Sequence, residues 1–223
     1  MVSKTLSADL LMNLAEKYKA ERKEVARFMR RLYRHGLTTT SGGNISLRIS
    51  DDIIVITPSA TDKGRMRWRE VGLMNIFGEN LTPGLKPSIE SDMHLSIYKR
   101  EKEIKAIVHA HPVCASAFTA MKYRINTTLT AEARAILGDP VLVPYALMGT
   151  GDLASVVAEH VVHSDILLLE NHGILTTGSN LLQAFDKIEV LESAARMTLI
   201  VEMTGKKSPL SKERIHQIDK YFR

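Results

Sequence analysis

Residues 105–112 read Lys-Ala-Ile-Val-His-Ala-His-Pro, and this segment says more about the chain than any other. Its apolar residues predict a buried strand, which ends at Pro112 because proline cannot donate to the strand ladder. Residues two apart on a strand point to the same face, so the imidazoles of His109 and His111 can converge on one ion. The alternative is a pair of half-buried histidines that are satisfied by hydrogen bonds.

The segments on either side of this strand alternate between helical and strand patterns, without a repeat or a long polar linker. Apolar spacing predicts helices at residues 10–32, 89–99, 113–121, 152–163 and 180–202, and strands at residues 45–49, 53–56, 141–143 and 166–169. The first two of these strands form a predicted hairpin across Asp51 and Asp52. We therefore expect one α/β domain over residues 1–223, and the spacing leaves the strand order and direction open.

The composition predicts a folded protein outside the membrane. Of the 223 residues, 44% are hydrophobic and 25% are charged, which is enough for a sizeable core. No apolar run reaches the ~18 residues of a membrane span, and residues 1–10 lack the apolar segment of a secretory signal. We expect a cytoplasmic protein. Because Cys114 is the single cysteine, a tight metal site has to be built from histidine and carboxylate.

The charge favours anionic partners in general without selecting one. Thirty Lys and Arg against 25 Asp and Glu give a net charge of +5. Residues 63–69, Lys-Gly-Arg-Met-Arg-Trp-Arg, are a basic stretch in which Trp68 could stack on a base. Acidic residues are interleaved throughout and only 5% of the residues are aromatic, so we expect no nucleic-acid partner.

Three further segments place reactive side chains next to turn residues. Asn171-His172-Gly173 directly follows an apolar strand, where a histidine can be presented in a cleft. Glu90 lies near a predicted helix start, either as a functional carboxylate or as an ordinary first-turn glutamate. Residues 38–44, Thr-Thr-Thr-Ser-Gly-Gly-Asn, expose backbone donors and hydroxyls that can cradle a phosphate, although they are neither a P-loop nor a dinucleotide fingerprint. A flexible turn is the alternative for this loop.

Glu90 and His94 form a competing pair. They are four residues apart on one predicted helical face, a spacing that suits either a second metal assignment or a simple surface hydrogen bond.

Four motifs in this order resemble the class II aldolase/adducin family, closest to its sugar-phosphate aldolases of the L-fuculose-1-phosphate type. They are Ser41-Gly-Gly-Asn-Ile-Ser46, Pro87-Ser-Ile-Glu90, His109-Ala-His111 and Asn171-His-Gly173, joined by Pro144-Tyr145 and Gly149-Thr-Gly151. The resemblance spans roughly residues 10–205. It implies an α/β fold with a central, mainly antiparallel sheet flanked by helices, and a homotetramer with active sites between subunits.

The resemblance also implies a metal centre. A divalent ion, Zn²⁺ with Mn²⁺ or Co²⁺ as alternatives, would be held by His109, His111 and His172, with Glu90 as a fourth ligand or a nearby base. Three imidazoles and an exchangeable fourth position suit catalytic zinc. The implied phosphate contacts of a sugar-phosphate substrate come from Gly43, Asn44, Ser59, Ala60 and Ser88.

The reaction implied is cleavage of a short ketose phosphate to dihydroxyacetone phosphate and an aldehyde through an enediolate, with Glu90 as the base in the reverse direction. Two positions depart from the fuculose-phosphate aldolases. Ile89 replaces a second serine, and Thr130 stands where a neighbouring subunit would supply a proton-donating tyrosine, which leaves Tyr123 and Tyr221 as candidates.

Other members of the superfamily remain open as alternatives. Its 4-epimerases carry aspartate where this chain has Glu90, so the glutamate favours an aldolase, while a decarboxylase or a dehydratase stays possible because of the altered donor region. A non-catalytic, adducin-like binding module would be expected to lose the ligand residues, and all four are present here.

Overall fold

The computed structural model describes the main chain of residues 8–121 and 123–223, with side chains from residue 13 onward. Leu10 and Leu11, which helped to predict the first helix, therefore have side chains outside the described part. The helices are α1 (Ala8–Lys17), α2 (Lys19–Arg34), α3 (Ser91–Arg100), α4 (Val113–Thr119), α5 (Ala131–Leu137), α6 (Gly151–His160), α7 (Leu181–Thr204) and α8 (Lys212–Phe222). The strands are β1 (Asn44–Arg48), β2 (Ile53–Ile56), β3 (Gly72–Asn75), β4 (Ala106–Ala110), β5 (Val141–Val143), β6 (Ile166–Leu169) and β7 (Gly173–Gly178).

The seven strands form one sheet in the order β3-β2-β1-β4-β7-β6-β5. Every neighbouring pair is antiparallel except β5 and β6, which are parallel. The predicted α/β fold with a mainly antiparallel sheet is confirmed. The strands in the middle, β4 and β7, are buried along their whole length because helices cover both faces of the sheet.

The core consists of two apolar layers, one on each face of the sheet. Alternate residues of a strand enter different layers, as Val108 and Ile107 of β4 show. Helices α2, α4, α5 and α7 pack on the Val108 face, and α3 and α6 pack on the Ile107 face. Among the helices of residues 8–121 and 123–223, none is long and apolar enough to cross a membrane.

Most predicted elements form close to where the sequence places them. The hairpin of β1 and β2 pairs Ser46 with Ile56 as expected, and the helix predicted from Ile89 begins two residues later, at Ser91. The first predicted helix is divided at Tyr18 into α1 and α2. The sequence patterns above predicted neither β3 nor β7, nor the short helices α5 and α8.

Strand β7 was missed for a physical reason. Its sequence, Gly-Ile-Leu-Thr-Thr-Gly, has glycine at both ends and two adjacent threonines, so it shows neither clear alternation nor a long apolar run. Its neighbours β4 and β6 pair with it along both edges, and this pairing makes it a central strand.

Candidate active site

Three histidines converge at one end of the middle strands. His109 is the fourth residue of β4, His111 follows the end of that strand, and His172 lies in the turn between β6 and β7. The ring centroids are 4.7 Å apart for His109 and His111, 4.8 Å for His109 and His172, and 5.6 Å for His111 and His172. One nitrogen from each ring lies within 4.8 Å of the others, so the triad could hold a metal ion.

The sheet positions each ring by local contacts. Nδ1 of His109 donates to the carbonyl oxygen of Ile174 on β7 at 2.9 Å, which fixes the neutral tautomer and leaves the lone pair on Nε2. His172 is presented by a tight turn in which its N–H donates to the carbonyl of Leu169, and Asn171 there has φ +53°. Gly173 permits a close approach, because a Cβ atom there would lie 2.5 Å from Cδ2 of His111.

The histidines of the triad that are most enclosed are held neutral. Burial lowers the pKa of His109, and the nearby His172 adds to that effect. Burial together with the other two imidazoles lowers the pKa of His111 to about 3. Neutral imidazoles have free lone pairs at neutral pH, which is the form that binds metals.

Glu90 joins the histidines from the other side. It immediately precedes α3 and is 7% exposed, and its side chain does not cap the helix, so it is not the ordinary first-turn glutamate of the alternative. Its Oε2 lies 3.5 Å from Nε2 of His109, and its Oε1 lies 3.1 Å from Nε2 of His172 without the alignment of a hydrogen bond. Burial by itself raises the pKa of Glu90, but His109, His172 and the amide of Asn44 outweigh it and hold the pKa well below its usual range.

The competing pair of Glu90 and His94 does not form a metal site. His94 is completely buried, and both of its ring nitrogens are engaged, Nδ1 with Oγ of Ser46 and Nε2 with Oδ1 of Asn44. A metal ligand needs a free lone pair on one ring nitrogen. His94 therefore belongs to the hydrogen bonding around the site and not to the ligand set.

Several buried polar atoms of this cluster are left without hydrogen bonds among the described residues. Oε1 of Glu90, Nε2 of His109 and Nδ1 of His172 are buried without a hydrogen-bond partner in the described part of the chain. Buried polar atoms are rarely left in this state, because each one loses its hydration without replacement. Three imidazoles and a carboxylate are a donor set that suits a divalent transition metal. The residues present thus fit a metal centre.

The predicted phosphate contacts lie on three segments of the chain, two of which are joined directly to each other. The segments 57–59 and 86–88 meet through a bridge between Pro58 and Pro87 and a hydrogen bond from the N–H of Ser59 to the carbonyl of Lys86. Gly43 has φ +67° and Ala60 has φ +50°, both in the left-handed region. The N–H of Ser59 is used within the protein, so its hydroxyl is what it retains for a substrate.

Asn44 and Ser88 have roles inside the protein in addition to any phosphate contact. Nδ2 of Asn44 donates to Oε2 of Glu90 at 2.7 Å, and Oγ of Ser88 accepts from the N–H of Glu90 at 3.3 Å. Thr38, which the sequence analysis did not single out individually, has a buried hydroxyl with no partner in residues 8–121 and 123–223. That hydroxyl lies against Gly43, since a Cβ atom there would be 2.8 Å from Oγ1 of Thr38.

Two residues of the basic stretch at residues 63–69, Lys63 and Trp68, pack against other parts of the chain. Lys63 is 1% exposed, and its Nζ donates to the carbonyl of Pro58 at 2.6 Å. Burial lowers the pKa of Lys63 to about 8, although the carboxylate of Glu90 opposes the shift. The ring of Trp68 is flanked by Lys19, Arg22 and Arg69 of this chain, with cation-to-centroid distances of 4.5 to 5.1 Å. Lys63 and Trp68 thus contact other parts of this chain, whereas the side chains of Arg65 and Arg67 are 91% and 85% exposed.

Thr130, at the position where the resemblance implies a proton-donating tyrosine, caps a helix. Thr130 is the N-cap of α5, and its hydroxyl accepts from the N–H of Ala133 at 3.1 Å. Tyr123 stacks beside Phe118 with ring centroids 6.3 Å apart, and Tyr221 is 83% exposed near the end of α8. Within this chain, neither tyrosine is among the residues that surround Glu90.

Comparison with known proteins places this site in a family. The family described as Class II Aldolase and Adducin N-terminal domain matches residues 23–199. The chain belongs to this family. The residues matched by the class II aldolase/adducin family include all four ligand candidates and every predicted phosphate contact.

Individual relatives within the class II aldolase/adducin family differ in their reactions. The chain is 34% identical to an L-fuculose phosphate aldolase of Methanococcus vannielii over 80% of this chain and 96% of that protein. It is 31% identical to a 3-oxo-tetronate 4-phosphate decarboxylase of Haemophilus influenzae over 80% and 86%. A solved L-fuculose 1-phosphate aldolase superposes with a TM-score of 0.82 at 28% identity over 99% of both chains. These relatives are enzymes that act on sugar phosphates.

Proposed function

We propose that this protein is a metal-dependent aldolase that cleaves a short ketose phosphate to dihydroxyacetone phosphate and an aldehyde. The observation that carries the proposal is the placement of the Glu90 carboxylate, with one oxygen 3.1 Å from His172 and the other 3.5 Å from His109. A carboxylate in contact with a potential metal triad can act on a proton of a substrate held at that triad.

We propose Zn²⁺ as the ion, held by His109, His111 and His172, with Glu90 as a further ligand or as the nearby base. The chemistry that such a cation supplies is electrostatic stabilisation of the negative charge that develops on the substrate oxygens. Nitrogen donors and the absence of cysteine from the cluster are compatible with Mn²⁺ and Co²⁺ as well.

Glu90 would move the proton at the carbon atom that is cleaved. In cleavage, the bond between C3 and C4 of the ketose breaks, the C4 hydroxyl gives its proton to water as the aldehyde forms, and Glu90 passes a proton taken up from water to C3. In condensation, ionised Glu90 takes that proton from dihydroxyacetone phosphate. The low pKa of Glu90 keeps the carboxylate in the ionised form that accepts a proton.

The phosphate group would be bound by the loops that carry Gly43, Asn44, Ser59, Ala60 and Ser88. The side chain of Asn44 already uses its carbonyl oxygen and one amide proton within the protein, and its main chain pairs with His109 of β4, so its second amide proton remains for the phosphate. Buried Lys63 adds positive charge behind the loop at residues 57–61, which favours a dianion there. We further propose that residues 1–223 act as one domain, in the cytoplasm, in a homotetramer with sites between subunits.

A decarboxylase is the second candidate, and Thr130 favours it. Removing CO₂ from a 3-oxo acid phosphate leaves an enediolate, as aldol cleavage does, but the leaving CO₂ needs no group to manage a hydroxyl proton. A chain in which the expected donor position caps a helix suits that reaction, and one relative carries that activity in its name.

The test compares both reactions on zinc-loaded protein. Purified protein would be incubated with fuculose, rhamnulose and ribulose 1-phosphates and with 3-oxo-tetronate 4-phosphate, and the products would be identified. Dihydroxyacetone phosphate with an aldehyde supports the aldolase, and dihydroxyacetone phosphate with CO₂ supports the decarboxylase. Failure to form dihydroxyacetone phosphate from any of these substrates, with zinc bound, would overturn the proposal.

A further inference from the structure

A line of five hydrogen-bonding side chains runs from the core to Glu90. Tyr98 and His94 lie on α3, Ser46 and Asn44 lie on β1, and all four are buried. The hydroxyl of Tyr98 lies 2.8 Å from Oγ of Ser46, which lies 2.6 Å from Nδ1 of His94. Nε2 of His94 contacts Oδ1 of Asn44, and Nδ2 of Asn44 contacts Oε2 of Glu90 at 2.7 Å.

The carboxylate of Glu90, at one end of this line, determines the direction of every hydrogen bond in it. Oε2 of ionised Glu90 can only accept, so the amide group of Asn44 must face it and the carbonyl oxygen of Asn44 must face His94. His94 therefore carries its proton on Nε2 and accepts at Nδ1 from the hydroxyl of Ser46. The single proton of Ser46 is then used, so Tyr98 donates to Ser46.

The reverse orientation of the Asn44 amide is excluded by charge. It would place the carbonyl oxygen of Asn44 against the carboxylate of Glu90 and the amide group against the N–H of His94. Two acceptors and two donors would then meet in a buried region where water cannot compensate. The carboxylate of Glu90 thus sets which way the amide of Asn44 faces, and the N–H of His94 holds the carbonyl end of that amide in place.

The consequence is a difference between the two oxygens of Glu90. Oε2 is held by Asn44, whereas Oε1 is buried without a partner in the part of the chain that the structure describes. A carboxylate that is held by one oxygen keeps its orientation and leaves the other oxygen to react.

We propose that His94 is a positioning residue, which orients Asn44 so that Glu90 is held by Oε2 and takes the substrate proton on Oε1. This inference rests on the proposed role of Glu90. Ser46 and Tyr98 complete the line by fixing the tautomer of His94. The line does not conduct protons, because the amide of Asn44 cannot pass a proton from one side to the other.

The test is a pair of substitutions at His94 in zinc-loaded protein. His94→Leu removes the donor to Asn44, and we expect kcat to fall about 10- to 100-fold while KM and zinc content stay within about twofold. His94→Gln restores an N–H at nearly the same position, and we expect kcat to return to within about threefold of the unsubstituted protein. His163→Leu, at an exposed histidine, is the matched control.

The outcomes separate positioning from a merely structural role. Equal losses in His94→Gln and His94→Leu, or loss of zinc from His94→Leu, would overturn the proposal. Should His94→Leu not fold, Ser46→Ala takes its place. A several-fold fall in kcat with zinc retained would support the proposal, and an unchanged kcat would overturn it.

A crystal structure of the zinc-loaded His94→Leu protein gives a readout that does not depend on the reaction. We expect the side chain of Asn44, without its partner at Oδ1, to shift and its contact with Oε2 of Glu90 to be lost. If that contact remains, the inference is wrong even if the protein is an aldolase. If the unsubstituted protein forms no dihydroxyacetone phosphate, the proposed function fails, whereas this structure still tests how Glu90 is held.

Discussion

The two sides of the candidate site are built in opposite ways. On the Glu90 side, the side chains form a continuous series of hydrogen bonds in which each has a partner: Tyr98, Ser46, His94 and Asn44. On the histidine side, Nε2 of His109 and Nδ1 of His172 have no partner among the described residues. His109 is as fully buried as the residues on the Glu90 side, so exposure to water does not account for its unpaired Nε2.

This difference separates support from function. A buried polar atom with a partner has already regained the free energy lost on leaving water, while one without a partner has a cost of about 1–3 kcal/mol that a ligand can remove. The satisfied side therefore fixes geometry, and the unsatisfied side is where binding energy is available. Oε1 of Glu90 belongs to the second group even though Oε2 belongs to the first.

The contrast between the Glu90 side and the histidine side would be wrong if the histidines did not hold a metal. We expect His109→Ala and His172→Ala to lose the metal and all measurable turnover, a larger effect than the 10- to 100-fold of outer partners. Metal content by elemental analysis and kcat measure both effects. Zinc retained at one ion per chain in either variant would contradict the assignment.

Substitution of Glu90 tests the residue that belongs to both sides, since one of its oxygens has a partner and the other has none among the described residues. Glu90→Gln keeps a side chain of the same size but cannot accept the substrate proton, so we expect turnover to fall about 10²- to 10⁴-fold with the metal largely bound. The measurement is kcat together with metal content, with Glu103→Gln at an exposed glutamate as the control. Normal turnover in Glu90→Gln would remove Glu90 as the base.

The enclosed histidines predict how stability depends on pH. The pKa of His94 and of His111 is about 3 in the folded protein against an ordinary 6.5, in both cases mainly because of burial. Between these values the unfolded chain binds protons that the folded chain does not, so the free energy of unfolding falls as the pH falls from 6.5 toward 3. Each histidine contributes up to about 1.4 kcal/mol per pH unit.

Urea unfolding of the metal-free protein at pH 7 and pH 5 measures this dependence. In His94→Gln one titrating group is absent. The free energy of unfolding should therefore fall less between pH 7 and pH 5, by about the contribution of one histidine. His163→Gln, at an exposed position, should leave the loss unchanged. Equal pH dependence in His94→Gln and the unsubstituted protein would show that His94 is not held neutral by the fold.

Two glycines offer a smaller and sharper comparison. Gly36 and Gly43 both have φ +67°, but a Cβ atom at Gly36 meets nothing within 4 Å, whereas one at Gly43 would lie 2.8 Å from the carbonyl oxygen of His109. We expect Gly36→Ala to cost about 1–2 kcal/mol from the left-handed backbone alone. Gly43→Ala should cost at least about 1 kcal/mol more, because main-chain atoms of the site must move.

Thermal unfolding of the two glycine variants measures the difference. Metal binding gives a second readout, which Gly43→Ala should weaken and Gly36→Ala should not. If the two variants are equally stable, the close packing of the loop at residues 38–44 against β4 is not needed for the fold.

Local patterns predicted much of the fold because their signals are short-range. Alternation and a turn predicted the hairpin of β1 and β2, and a run of apolar residues predicted β4 and β6. Strand β7 escaped prediction since its identity depends on β4 and β6, which lie on either side of it in space and give it partners. The helix predicted from Ile89 starts two residues later, at Ser91, with Glu90 as its N-cap, and helix ends are the least certain part of such a prediction.

The sequence by itself determined which chemical groups are available. His109 and His111 are two residues apart at the end of a strand pattern, His172 follows a strand pattern, and the single cysteine limits any metal site to nitrogen and oxygen donors. The tertiary structure alone decided that His94 supports the site instead of binding at it. The reason is that a hydrogen bond's direction depends on what lies at its far end, and Asn44, His94 and Glu90 meet only when β1, α3 and β4 pack together.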